Sequence, residues 1–317
     1  MDASDLPPGL QASHVLRRRG PVSLLLARGW EDALPVEALL GGAPLSAWGT
    51  AVPHALAGRG PVHVIATPRG ELVVKELRRG GLLGGVARRT FLDPRRGWRE
   101  AEASQRLAER GIATPPVIAA RSVRLAPGLF RLEIATRRIP ARGDLLDLLR
   151  APRHAHDAHE AHDAHEACGV PNLRELHELA REAGGTLRRA HDAGLRHRDL
   201  NAKNLLVPVE RGAALVVLDL DRCTVGAPLQ RDERVEALAR LARSLVKRGV
   251  LPLRAAGRDA DAVARQRENL AACRSFVRAY GGVPGLPPSG LLREIAATLR
   301  RSLSRHALGW SGDDSAR

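Results

Sequence analysis

"LRHRDLNAKNLLV", residues 195–207, crowds His197, Asp199, Asn201, Lys203 and Asn204 directly before an apolar, strand-like run. Short polar side chains brace turns, but so dense a cluster beside a hydrophobic segment raises the question of what else it holds. Upstream, Leu173, Leu176, Leu179, Ala180, Ala183, Leu187 and Ala190 recur at steps of three and four, the period of a helix with one buried face. The spacing predicts a helix over 172–192, weakest at Gly184–Gly185 and ended by Gly194. Downstream, strands are expected at 204–207 and 214–220 around the turn "PVERG", the second closing on "LVVLDLD" with Asp219 near its end. The polar run is therefore a loop between a buried helix and buried strands.

The N-terminal half supplies different parts. "GRGPVHVIATPRGELVVKEL" (58–77) reads as two strands, near Val62–Ala66 and Leu72–Leu77, joined at "TPRG". "WREAEASQRLAERGI" sets Ala101, Ser104, Leu107 and Ala108 on one helical face and stops at Gly111. A strand is expected at 129–135 and a short helix at 143–149, and the chain from Arg231 onward has a mostly helical pattern. Residues 1–48 alternate Pro and Gly with short apolar runs and receive no assignment.

Composition narrows the possible classes. The chain has 317 residues, 44% of them hydrophobic, and a net charge of +15, which suits a globular protein with an anionic partner. Aromatic residues make up only 3%, too few for stacking on single-stranded nucleic acid, and no nucleic-acid partner is expected. Cys168, Cys223 and Cys273 are far apart and odd in number, which fits a reducing cytosol better than a disulfide framework. No apolar run reaches the ~20 residues of a bilayer span, so any membrane association is expected to be peripheral. The hexapeptide "AHDAHE" occurs twice in tandem at 155–166, and the 154–167 segment carries five histidines and four carboxylates. These are metal-ligand types, but tandem duplication of a surface loop accounts for them without any ligand.

In chain order come Gly58 and Gly60 on a hairpin, Lys75 on a strand, Glu100 on a helix, Asp199 and Asn204 in the loop, and Asp219 after a strand. That order is the part list of protein-kinase-like phosphoryl transfer, in which catalysis is mostly positioning and charge stabilisation. Gly58 and Gly60 would let backbone N–H groups approach phosphates, although His63 stands where a third glycine is usual. Lys75 would reach the phosphates and be held by Glu100. Forty-seven of the fifty basic residues are arginine, and the three lysines are Lys75, Lys203 and Lys247. A lysine at position 75 thus points to a need for a compact ammonium rather than a planar fork. Asp199 would take or orient the acceptor proton, and Asn204 and Asp219 would supply oxygens to Mg2+. Asp221 is expected to add to the metal site or to pair with Arg222.

Together "GRGPVHVI", "LRRGGLLGG", "WREAEASQRLAERGIATPPVIAA", "HRDLNAKNLLV", "LDLDR" and "LARLARSLVK" resemble the bacterial lipopolysaccharide kinase family, which includes 3-deoxy-D-manno-octulosonic acid (Kdo) kinase and heptose kinases. The resemblance runs from about 55 to 250, and its most specific pieces are Asn201, where protein kinases usually have Lys, and "RRGG" after Lys75. It implies an α+β, two-lobed protein-kinase-like fold with a small β-rich N-lobe (49–138) and a larger helical C-lobe (139–317), the latter carrying the repeat insertion at 154–167. It further implies ATP and Mg2+ as cofactors, Asp199 and Asn201 as catalytic residues, and a lipopolysaccharide precursor (Kdo–lipid A or a core sugar) as acceptor. The enzyme is then cytoplasmic and peripheral at the inner membrane.

Seven arginines in 78–99 against the single carboxylate Asp93 are the expected contact with lipid phosphates or an anionic membrane surface. Fewer than about a dozen residues separate Asp219 from the helix starting near Arg231, leaving little room for a peptide-docking activation segment. Two other readings share these parts. A small-molecule phosphotransferase of aminoglycoside or choline-kinase type would give a soluble product, and a non-catalytic basic pseudokinase scaffold would have no need of all five polar residues.

Overall fold

The computed structural model describes residues 6–52, 62–78, 89–151, 171–210, 212–252 and 260–310, with side chains from 260–262 and 304–310 excepted. Gly58, Gly60 and the 154–167 repeat lie outside the described residues. The chain divides into two units: Met1–Ile139 with Leu220–Cys223, and Pro140–Asp219 with Thr224–Arg317.

The first unit is built on a seven-stranded antiparallel sheet in the order β1-β2-β6-β7-β5-β4-β3. Its strands are β1 (His14–Arg19), β2 (Val22–Ala27), β3 (Thr50–Val52), β4 (Val62–Thr67), β5 (Gly70–Glu76), β6 (Val117–Ala126) and β7 (Leu129–Arg137). The first 48 residues, which the sequence pattern does not assign, thus supply two strands, α1 (Pro8–Gln11), α2 (Val36–Leu40) and a 3-10 turn at Leu45–Trp48. They are held by a buried ion pair. Arg121 and Glu133, opposite each other on β6 and β7, pair at 2.8 Å. Arg121 also donates to the carbonyls of Leu39 and Gly42, and Glu133 accepts from the Leu45 N–H. Three hydrogen bonds from the pair thus tie this segment to the sheet, and burial without such partners would be costly.

Two cores line the two faces of the sheet. Leu24, Leu26, Leu72 and Val74 pack with Leu39 and Leu45 on one. On the other, Leu25, Ile134 and Leu77 pack against Trp98 and Ala101 of α3 (Arg96–Glu109). Alternation along β5 sends Leu72 and Val74 to the first face and Lys75 and Leu77 to the α3 face.

The second unit contains α4 (Leu145–Arg150), α5 (Leu173–Asp192), α6 (Arg231–Lys247), α7 (Ala260–Tyr280) and α8 (Pro288–Trp310). Two small sheets join them, β11-β10-β8 and β12-β9, from β8 (Ala141–Asp144), β9 (Leu195–Arg196), β10 (Leu205–Pro208), β11 (Val216–Val217) and β12 (Thr224–Val225). The helix expected from 143 starts at Leu145: Gly143 has φ 149° in a strand, and Asp144 caps α4 by accepting from the Asp147 N–H. Asn172 and Glu175 form a reciprocal capping box at the start of α5. Burial pushes the Cys273 thiol up to about 11.

Of the two glycines in α5, Gly184 has a packing role that the helical period does not show. A Cβ at Gly184 would sit 2.2 Å from the Phe276 carbonyl oxygen of α7, so the missing side chain is what lets the two helices touch. At Gly185 the nearest atom is the flexible end of Arg189, 3.3 Å away. Gly184→Ala is expected to lower stability by about 1–3 kcal/mol through overpacking. Gly185→Ala should instead raise it by about 0.5–1 kcal/mol through helix propensity. Urea midpoints of the two variants test this, and equal shifts would contradict the helix contact.

Candidate active site

Much of the polar run at 195–207 holds its own loop together. Asn201 Nδ2 donates to the Asp199 carbonyl at 3.0 Å, and Asn204 Nδ2 donates to the same carbonyl at 2.8 Å. Asn201 Oδ1 accepts from the Lys203 N–H at 2.9 Å, capping a 3-10 turn over Ala202–Asn204. Leu200 and Ala202 are buried beneath it. Two amides thus clamp one peptide carbonyl while the Asp199 side chain stays exposed. Because the Asn204 amide donates through Nδ2, its Oδ1 is turned away from that carbonyl and keeps its acceptor capacity.

His197 joins this loop to the strand that precedes Asp219. Its Nε2 lies 2.9 Å from the Leu218 carbonyl, and the Leu218 N–H donates to Asn204 O at 2.9 Å. Burial pushes the His197 pKa down, opposed by the Leu218 bond and by the charges of Asp219 and Asp199. The ring is therefore neutral, with its proton on Nε2, and Nδ1 is buried without a partner. Arg240 donates to the His197 carbonyl at 2.9 Å, and Arg196 forms a two-point pair with Glu233 at 2.7 and 3.0 Å. These groups fix the loop from the side of α6.

Asp219 is exposed and has φ 57°, a left-handed conformation that few residues with a Cβ adopt without a reason. Asp199, Asn201, Asn204 and Asp219 are all in the second unit. Two oxygen-bearing side chains are what a magnesium ion takes from a protein when phosphates and water complete its shell, so Asn204 and Asp219 fit that role.

The remaining described members of the candidate set are in the first unit. Lys75 Nζ donates to Glu100 Oε1 at 3.0 Å, with Glu100 buried and Lys75 partly exposed. The pairing follows from β5 alternation, which turns Lys75 toward α3. Asp221 does not pair with Arg222. It pairs with Arg96 through both carboxylate oxygens, and Arg96 also lies over the Phe91 ring, 4.6 Å from its centroid. Nothing in the spacing of residues 125 positions apart signals that contact. The bracing roles of His197 and Arg240 also went unread, although His197 stands within the polar run itself.

Residues 49–270 match the model of the lipopolysaccharide kinase (Kdo/WaaP) family. The chain belongs to that family. Membership places it among ATP-dependent kinases that act on sugar hydroxyls, in agreement with the resemblance read from the sequence. Among relatives of the lipopolysaccharide kinase family, the 3-deoxy-D-manno-octulosonic acid kinase of Actinobacillus succinogenes is 32% identical over 174 residues, covering 53% of this chain and 63% of that protein. This match spans less than two thirds of the relative's length. The protein of the same name from Xylella fastidiosa strain M23 is 29% identical over 240 residues, covering 74% of this chain and 82% of that one. A solved structure of WaaP in complex with acyl carrier protein shares the fold with a TM-score of 0.51 at 21% identity, over 89% of this chain and 98% of that one. The fold is therefore α+β and protein-kinase-like.

Proposed function

We propose that the chain transfers the γ-phosphate of ATP to a sugar hydroxyl of the lipopolysaccharide inner core, on Kdo of Kdo–lipid A or on a core heptose. It does so as a peripheral protein at the cytoplasmic face of the inner membrane. The observation that carries this reading is the clamp on the Asp199 carbonyl by Asn201 and Asn204. It fixes the backbone from which the exposed Asp199 carboxylate projects, and that carboxylate would accept the proton of an acceptor hydroxyl. Asn204 and Asp219 would hold Mg2+, which supplies charge over the transferring phosphate. Lys75, oriented by Glu100, would hold the nucleotide phosphates, with backbone at Gly58 and Gly60 alongside. Asn201 positions Asp199 and caps the turn that carries Asn204.

The test is transfer of labelled γ-phosphate from ATP with magnesium to Kdo–lipid A, with free sugars in parallel. Label on the lipid is the expected result. Label confined to a soluble sugar would assign a small-molecule phosphotransferase, and no label on either acceptor would leave only a binding scaffold. Among the described residues no helix is long and apolar enough to cross a membrane, so access to a lipid acceptor calls for a docking surface.

A further inference from the structure

The described arginines of 78–99 each lie beside a carboxylate or an aromatic ring. Arg78 and Arg89 reach Glu76 at 3.7 and 3.6 Å, Arg96 pairs with Asp221, Arg99 pairs with Asp93, and Arg95 lies over Trp98. A different part of the first unit combines exposed apolar and basic groups. Of the large hydrophobic residues exposed on the described surface, Leu92, Leu125 and Leu129 are 68%, 48% and 38% accessible, and all three lie at one end of the sheet. The backbone groups of Phe91 and Phe130 bond reciprocally at 2.8 Å. That antiparallel bridge sets Leu92 across from Leu129. Leu125 stands at the register shift just before the turn that joins β6 to β7, a turn closed by Gly128 at φ 71°. The Arg124 N–H donates to Pro21 O at 2.9 Å, which brings the β1–β2 turn alongside, and Arg17, Arg18 and Arg19 are exposed on β1.

We infer that this end of the sheet docks on an anionic lipid bilayer, with Leu92, Leu125 and Leu129 entering the headgroup boundary and Arg17 and Arg124 meeting lipid phosphates. The inference rests on the peripheral-membrane part of the function proposed above and gives it a location. Its physical basis is the pairing of two signals that are each weak alone: apolar side chains that can leave water, and cations that gain from a negative surface. The acidic groups nearby do not cancel the second signal. Asp93 lies beside Arg99 and Glu37 beside Arg19, so each of these carboxylates has a basic group next to it. Charge favours an anionic bilayer as the partner, because exposed arginines stand beside the exposed leucines.

The experiment is co-sedimentation of the full chain with phosphatidylcholine vesicles, with and without phosphatidylglycerol, at low and high salt. Binding that requires phosphatidylglycerol and falls with salt is expected. Leu125→Ser with Leu129→Ser should weaken binding by about tenfold, and Arg17→Ser and Arg124→Ser by about fivefold each. Leu292→Ser, which alters an exposed leucine on α8, should leave it unchanged, and thermal melting checks that each variant is folded. Equal binding to both vesicle types, unaltered binding of the double leucine variant, or wild-type binding to an acidic soluble protein but to no vesicle would overturn the inference. Phosphate transfer to an acceptor dispersed in detergent, measured on the same variants, separates the two proposals. Absence of transfer by the wild-type chain there counts against the kinase reading, while vesicle binding decides the docking surface.

Discussion

Asp199→Ala is expected to lower turnover by about 10^2- to 10^4-fold, the range for loss of a positioned general base, while ATP binding stays intact. The expectation combines two observations. The carboxylate is exposed and takes no part in bracing the loop, because Asn201 and Asn204 bond to the residue's backbone carbonyl and not to its side chain. Removing the side chain therefore leaves the loop standing and takes away only the proton acceptor. The measurement is kcat and KM for ATP with the lipid acceptor, alongside nucleotide binding by calorimetry. A variant with wild-type kcat would remove Asp199 from the mechanism. A variant that loses nucleotide binding as well would show that the carboxylate serves the metal and not the acceptor.

Lys75→Arg keeps the charge and is nonetheless expected to reduce kcat/KM by roughly 100-fold, the scale of losing one preorganised charge contact. An arginine here can still pair with Glu100, whose Oε1 now accepts from Nζ at 3.0 Å. Its guanidinium would do so as a planar fork that spends two donors on the carboxylate. What it would not reproduce is a compact ammonium that rests on Glu100 and meets phosphate oxygens as a point charge. The melting temperature should remain close to that of the wild type, since the ion pair persists. Lys203→Arg serves as the comparison, because Lys203 is exposed and its side chain has no assigned part in the transfer; its activity should not change. Equal activity of Lys75→Arg and the wild type would mean that lysine at position 75 is an accident of composition.

The components of the candidate site are local in sequence, and this is why they are legible. "HRDLNAKN" spans eight consecutive residues whose side chains cap and brace backbone only a few positions away, so spacing alone predicts a loop of this kind. Period-two and period-three-to-four patterns likewise place β4, β5, α3 and α5 to within a few residues. Lys75 on a strand and Glu100 on the next helix could be matched because strand alternation determines which face each side chain takes.

Contacts that depend on which distant segments meet were not legible. The first 48 residues lack a clear period, yet they join the large sheet because buried Arg121 and Glu133 supply partners for their turns. Gly184 reads as a helix weakness until α7 is seen 2.2 Å from where its Cβ would be. Asp221 reads as a metal ligand or as a partner of its neighbour Arg222, and packing gives it to Arg96 instead. The basic run at 78–99 reads as the anionic contact, and only the fold sets its described arginines beside carboxylates and a ring. Leu92, Leu125 and Leu129 show no pattern along the chain and form a surface only because one antiparallel bridge and one hairpin turn place them together. The family and the order of its parts are carried by residue types at short range. Which charges pair with one another depends on the fold, because an ion pair is settled by proximity in space and not along the chain.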